Sequence, residues 1–111
     1  MDFRTTTLPS HQIVCPSGPR LDAMHALQFK ARFRDIIINT DRPVIVDLSQ
    51  IDFIDSSGLG ALVTTAKLIS APYSIKFANL QSLVERVFQL THIDRVFDIV
   101  SDPNDLESSA I

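Results

Sequence analysis

A run of five residues, Val44-Ile45-Val46-Asp47-Leu48, constrains the fold of this chain more than any other segment. The run is short, β-branched and apolar at consecutive positions, which is typical of a central strand covered on both faces. Apolar residues at helical spacing lie on both sides of it, over residues 21–38 and 58–69. A buried strand between two helical segments predicts an α/β domain with a largely parallel sheet and right-handed crossovers.

The remaining segments continue this alternation. The predicted strands are residues 3–8, 12–15, 44–48, 74–78 and 96–100, and the predicted helices are residues 21–38, 58–69, 82–90 and a closing turn at 103–109. The order β-β-α-β-α-β-α-β-α predicts a mostly parallel central sheet of four to five strands and about four helices. Its first strand is expected to pair antiparallel at an edge.

Each long helical segment carries an apolar stripe that is predicted to face the sheet. In the first helix the stripe contains Ala23, Ala26, Phe29, Phe33, Ile36 and Ile37, widened by Met24 and Leu27. In the second it contains Leu59, Leu62, Val63 and Ala66, and in the third Leu83, Val84, Val87 and Phe88.

Length and composition limit the class of protein. With 111 residues, 45% of them hydrophobic, the chain is predicted to form one domain over residues 1–111, with its core at about 3–107 and a short polar C-terminal tail. A net charge of -3 argues against a nucleic-acid binder. The single cysteine, Cys15, excludes an internal disulfide, and the sequence contains no recognisable metal-ligand spacing, so we expect no metal and no cofactor. Without a signal pattern or a membrane-length apolar run, we expect a soluble, cytoplasmic protein.

The junction after the central strand, Phe53 to Val63 (FIDSSGLGALV), contains the residues whose side chains could serve a reaction, a binding site or a modification. Its simplest role is structural. A helix start leaves backbone N–H groups unpaired, and Asp55, Ser56 and Ser57 are all residue types that cap them. Gly58 permits a sharp turn from strand to helix.

Two catalytic or ligand-binding interpretations of the junction fail on spacing. A serine nucleophile elbow requires Gly-x-Ser-x-Gly, and no glycine lies two residues before either serine. A dinucleotide loop requires a third glycine where Val63 stands, and no Walker lysine follows Gly60.

A phosphorylation switch remains beside the capping role, because adjacent Ser56 and Ser57 exceed what one cap requires. Hydroxyls at the end of a strand and the start of a helix are accessible to another protein's active site. A phosphate there would meet free N–H groups and the positive end of the helix dipole. It would also be repelled by Asp55, so the surface potential would change without unfolding the domain.

The stretch VDLSQIDFIDSSGLGALV resembles the signature of the STAS domain, and specifically that of the anti-sigma factor antagonists. Two flanking segments are also similar to the family: Leu21-Asp22 after Gly18 resembles Gly-x-Leu-Asp, with one residue more, and IDRVFDIV resembles the stretch before the last strand. The resemblance covers about residues 3–107.

The resemblance implies that Ser56 is the phosphoacceptor and that Asp22 lies beside it. It also implies that Ser57 and Gly58 form the first turn of a recognition helix. Partner-binding or neighbouring positions would be Asp22, Asp55, Ser57, Gly58, Leu59 and Gly60. The implied partners are an anti-sigma factor that is also a serine kinase, and a serine phosphatase.

The function implied is therefore a regulatory binding protein and not an enzyme. It would bind the kinase when unphosphorylated and be released on phosphorylation of Ser56. The alternative is a STAS interaction subunit of a transporter or sensory scaffold that does not switch. Direct nucleic-acid binding and membrane insertion are not expected, and self-association stays open.

Overall fold

The computed structural model describes residues 1–68, 74–101 and 103. Within them the strands are β1 Phe3–Thr7, β2 Gln12–Pro16, β3 Arg20–Leu21, β4 Val44–Asp47, β5 Phe53–Ile54, β6 Ile75–Ala78 and β7 Asp98–Val100. The helices are α1 Ala26–Ile38, α2 Ser56–Ala66 and α3 Ser82–Leu90, with a 3₁₀ turn at Ile93–Arg95. None of the helices in these ranges is both long and apolar enough to cross a bilayer.

The main sheet has five strands in the order β1-β2-β4-β6-β7. Strand β1 pairs antiparallel with β2, and all the other pairings are parallel. Val44, Ile45 and Val46 of the central strand are completely buried. The structure thus confirms the predicted fold class, the antiparallel edge and the central position of β4.

The core lies mainly between the sheet and the helices, and it contains several contacts between aromatic rings. The ring of Phe3 lies 5.4 Å from that of Phe29 in α1, and the ring of Phe77 in β6 meets that of Phe88 in α3 at the same separation. Ile45 belongs to a smaller cluster with Ala78 and Val100. Because side chains alternate along a strand, this cluster lies on the opposite face of the sheet.

A second, two-stranded sheet pairs β3 with β5 in parallel, and the sequence pattern did not predict it. Leu21 is in register with Ile54, and both side chains are buried. Strands of two residues are too short to show a periodicity of their own. This small sheet holds the segment before α1 against the junction before α2.

The predicted start of the first helix at residue 21 was wrong. Leu21 is in a strand, residues 22–25 form a turn closed by a 3.0 Å bond from the His25 N–H to the Asp22 carbonyl, and α1 begins only at Ala26. The predicted stripe was also wrong at three positions, because Ala23 is exposed and Met24 and Leu27 are 86% and 83% exposed. Met24 precedes α1, whereas Leu27 lies within α1 but on the side away from the buried Phe29, Phe33 and Ile37.

Smaller differences affect the other elements. Leu83, predicted to face inward, is 48% exposed, whereas Val84 and Phe88 are fully buried. Strand β7 begins at Asp98 rather than residue 96, because the preceding 3₁₀ turn reaches residue 95. The predicted closing turn over residues 103–109 lies, apart from residue 103, outside the described residues.

Candidate functional site

Asp55 caps helix α2. Its backbone is extended (φ -108°, ψ -177°) and its Oδ1 accepts a 2.8 Å hydrogen bond from the Gly58 N–H. Its carbonyl accepts the first helical bond, from the Leu59 N–H at 2.8 Å. One residue thus fulfils the capping role that three residues could have taken.

The other carboxylate oxygen of Asp55 binds the neighbouring segment. Oδ2 accepts a 3.0 Å hydrogen bond from the Ala23 N–H, and the Asp55 N–H donates to the Leu21 carbonyl at 3.3 Å. Both oxygens are therefore engaged with backbone N–H groups. The side chain joins the start of α2 to the turn before α1.

Gly58 is buried because the backbone of β3 lies directly against it. A Cβ at this position would be 2.0 Å from the Leu21 carbonyl oxygen, a distance that backbone atoms do not tolerate. Gly60 is different: it is exposed, and a Cβ there would meet nothing within 4 Å. The first glycine is required by internal packing, whereas the second is not.

Ser56 and Ser57 are the first two residues of α2, and both are exposed. Neither hydroxyl makes a hydrogen bond within the described part of the chain, since Asp55 already caps the helix. The unpaired N–H groups of a helix start and its positive dipole end lie at the same place. The arrangement presents two hydroxyls where an added anion would find backbone donors.

Asp22 lies in the turn that is bonded to Asp55. Its carboxylate accepts from His25 Nδ1 at 2.7 Å and from Arg20 Nε at 3.1 Å, and its side chain is only 17% exposed. The hydrogen bond from His25 lowers the pKa of Asp22, partial desolvation opposes the shift, and Arg20 lowers the pKa further. The carboxyl group is thus held in its charged form.

The bond from Ala23 to Asp55 and the close approach of Gly58 to Leu21 bring the segment around Asp22 and the start of α2 into one region. That these residues form one functional site, with Asp22 beside Ser56, stays a prediction. Sequence reasoning missed Arg20 and His25, which bind Asp22 from two positions before it and three after it. It also missed Phe53, whose ring centroid lies 4.0 Å from the Arg20 guanidinium carbon. The two-stranded sheet brings Arg20 and Phe53 together, and its strands are too short to show a periodicity in the sequence.

The chain belongs to the STAS domain family, whose profile matches residues 2–106. Within that family it is similar to anti-sigma factor antagonists. The anti-sigma-F factor antagonist RsfB of Mycobacterium tuberculosis is 26% identical over 108 residues, which cover 94% of this chain and 87% of RsfB.

Solved structures agree with this assignment. A candidate anti-sigma factor antagonist from Thermotoga maritima is 28% identical, with a TM-score of 0.80, and the match covers 92% of this chain and 88% of that one. The phosphorylated form of the Bacillus cell fate determinant SpoIIAA has a TM-score of 0.63 at 18% identity, covering 93% of this chain and 95% of that one. The second likeness concerns the fold alone.

Proposed function

We propose that this protein is an anti-sigma factor antagonist whose binding to an anti-sigma factor with serine kinase activity is switched by phosphorylation of Ser56. One observation carries the proposal: Asp55 caps α2, which leaves the Ser56 hydroxyl exposed and without a hydrogen bond to the described residues. A serine that the fold does not need for capping is available for modification by another protein.

The descriptions of two similar proteins support the proposal. RsfB is named an antagonist of an anti-sigma factor, a role in binding and regulation rather than catalysis. SpoIIAA, whose fold this chain shares, has been solved in a phosphorylated form. By analogy the present chain is a regulatory binding protein. The partner kinase that modifies it and the serine phosphatase that reverses the modification are taken from the resemblance of its sequence to the family.

The folded domain can accept a phosphate at Ser56. The group would carry about -1.5 to -2 charges and would lie at the first turn of α2, where backbone N–H groups and the helix dipole favour an anion by about 0.3–1 kcal/mol. The Asp55 carboxylate, which accepts from the Gly58 and Ala23 N–H groups, would repel the phosphate and so oppose this favourable effect. These opposing effects are small beside the stability of a domain, so modification leaves the fold intact.

The same phosphate would oppose the complex. Docking a kinase on the start of α2 removes water from Ser56, and burying a dianion without a matched cation costs several kcal/mol. This penalty exceeds the gain from the helix dipole. Phosphorylation therefore releases the partner, and dephosphorylation restores binding.

The neighbouring residues have separate parts in this proposal. Ser57 is exposed beside the acceptor, and Gly60, one turn along, is exposed with open space around it, so both are available for contact. Leu59 is half-buried, whereas Gly58 is buried on Leu21 and positions the first turn. Asp22 contributes a carboxylate near the cap that is held in place by Arg20 and His25. We place the switch in the cytoplasm, where sigma factors act.

The acceptor assignment is tested with the small histidine-kinase-like ATPases encoded in the same genome. Each purified ATPase is incubated with the wild-type chain, Ser56→Ala and Ser57→Ala, and phosphopeptides are mapped by mass spectrometry. We expect phosphate on Ser56 in wild type and in Ser57→Ala, and none in Ser56→Ala. Phosphate on Ser57 with an unmodified Ser56 would refute the assignment. Absence of modification by every ATPase would favour the interaction subunit that does not switch.

A further inference from the structure

We infer that the exposed side chains of Met24 and Leu27, called here the 24/27 patch, form the apolar part of the surface that docks the kinase partner. The inference rests on the proposed function and extends it from the switch to the source of affinity. The patch is proposed to bind one partner only: an apolar face of the kinase that phosphorylates Ser56.

The exposure of the patch motivates the inference. Met24 and Leu27 are 86% and 83% exposed, more than the other large hydrophobic side chains that the structure describes as exposed. Met24 lies in the turn before α1 and Leu27 lies in the first turn of the helix, so their Cα atoms are at most about 11 Å apart. Two large apolar groups exposed so close together in the chain offer area that a partner would remove from water.

The patch is fixed beside the phosphoacceptor. The Ala23 N–H, next to Met24, donates to the Asp55 carboxylate, next to Ser56, over 3.0 Å. The turn is also held by the bond between His25 and Asp22 at 2.7 Å and by the contact of Leu21 with Gly58. The segments that carry the patch and the acceptor are thus joined by short contacts.

The size of a protein interface places both features in one footprint. A standard interface covers about 800 Å² per partner, equivalent to a disc with a radius of about 16 Å. Ser56 and Met24 are each one residue, about 3.8 Å between Cα atoms, from the two ends of the Asp55–Ala23 hydrogen bond. The 24/27 patch is therefore within reach of a standard footprint placed over Ser56.

The start of α2 cannot supply the affinity alone. Its exposed positions are Ser56, Ser57 and Gly60, which offer little apolar area. Binding energy in interfaces is concentrated in a few large side chains, and methionine is enriched at interface centres. The arrangement separates two tasks: the 24/27 patch provides affinity, and Ser56 beside it provides the charge that switches binding off.

Ile38 offers a matched control. It is 59% exposed on the same helix, but 11 residues beyond Leu27, or about 16 Å along the axis at about 1.5 Å per residue. The chain after it leads to the start of β4, where the Gln12 N–H binds the Pro43 carbonyl at 2.8 Å. Ile38 is therefore near the edge of the sheet where β4 begins, whereas Ser56 follows the edge where β4 ends.

The experiment measures binding by calorimetry between the ATPase that binds the wild-type chain and four variants. These are Met24→Ser with Leu27→Ser, Ile38→Ser, Ser56→Asp and Ser56→Ala, each checked for folding by circular dichroism. We expect the double patch variant to raise Kd at least tenfold, on the scale of a lost hot spot, and Ile38→Ser to change it less than twofold.

The outcomes separate this inference from the proposed function. If the patch variant binds like wild type while Ser56→Asp binds weakly, the patch is refuted and the switch stands. Equal losses for the patch variant and Ile38→Ser would also refute the patch. If sedimentation shows a wild-type dimer that the patch variant dissociates, a second copy is the occupant and the inference is wrong. If no ATPase binds the wild-type chain, both proposals fail.

Discussion

Substituting the two glycines of α2 by alanine gives opposite expected effects on stability, although they are two residues apart. In Gly58→Ala the new methyl group would lie 2.0 Å from the Leu21 carbonyl oxygen and 2.6 Å from its carbon. Neither atom is the end of a flexible side chain, so α2 must move away from β3. In Gly60→Ala the methyl group meets nothing within 4 Å.

The magnitudes follow from these distances. Overpacking typically costs about 1–3 kcal/mol or more, and replacing glycine by alanine inside a helix recovers about 1 kcal/mol. Because a 2.0 Å contact with backbone calls for the upper end of that cost, we expect Gly58→Ala to lower the free energy of unfolding by about 2 kcal/mol, which is about 3 less about 1. Gly60→Ala gains the higher helix propensity of alanine without a clash, and should raise the free energy of unfolding by about 0.5–1 kcal/mol.

Urea denaturation followed by far-ultraviolet circular dichroism measures both changes against wild type. Each kcal/mol corresponds to a shift of about 4 °C or more in the melting temperature of a domain of this size, which gives a second readout. If Gly58→Ala were as stable as wild type, the first turn of α2 could not lie on the backbone of Leu21, and the described site geometry would be wrong.

Three further predictions concern stability. Leu62→Ala, which empties a fully buried position, should cost about 2–5 kcal/mol in chemical denaturation, whereas exposed Ser56→Ala should cost less than about 1 kcal/mol; equal losses would make Ser56 a structural residue. Asp55→Ala removes the acceptor of two N–H groups and should cost about 1–3 kcal/mol by the same assay, and a loss as small as that of Ser56→Ala would show that Asp55 is not the cap. The pKa of Asp22 is lowered in the folded state, so its charged form stabilises the fold. This stabilisation is fully present above the unfolded carboxyl pKa of about 3.9 and is lost as pH falls through the folded value. Asp22→Asn should therefore flatten the acid limb of the stability profile, and an unchanged limb would contradict this assignment.

The main sheet could be predicted from the sequence because its strands and helices are long enough to show their period. The run from Val44 is apolar at consecutive positions, and only a strand buried on both faces tolerates that pattern in a small domain. Helix α3 was predicted with the bounds Ser82–Leu90 that the structure has. Periodicity was sufficient in these elements because packing and local preference agree.

The small sheet that builds the site could not be predicted in this way. Arg20–Leu21 and Phe53–Ile54 are each two residues long, and their pairing depends on contacts more than 30 residues apart in sequence. The helical pattern was therefore extended back to residue 21, which placed Met24 in the core instead of on the surface. Leu27 is within α1, and the sequence pattern assigned it to the wrong side of that helix. The cap was also undecided in sequence, since Asp55, Ser56 and Ser57 are all capping types; only the hydrogen bond to Gly58 distinguishes them.

The central claim is that charge at Ser56 controls binding of the kinase partner. The most direct measurement is a calorimetric titration of that kinase with unphosphorylated wild type, wild type phosphorylated at Ser56, Ser56→Ala and Ser56→Asp, with circular dichroism confirming each fold. We predict tight binding by unphosphorylated wild type and Ser56→Ala, and binding weakened at least tenfold by the phosphate and by Ser56→Asp, because a buried negative charge has no matched cation. Equal affinities for the phosphorylated and unphosphorylated chains would contradict the claim.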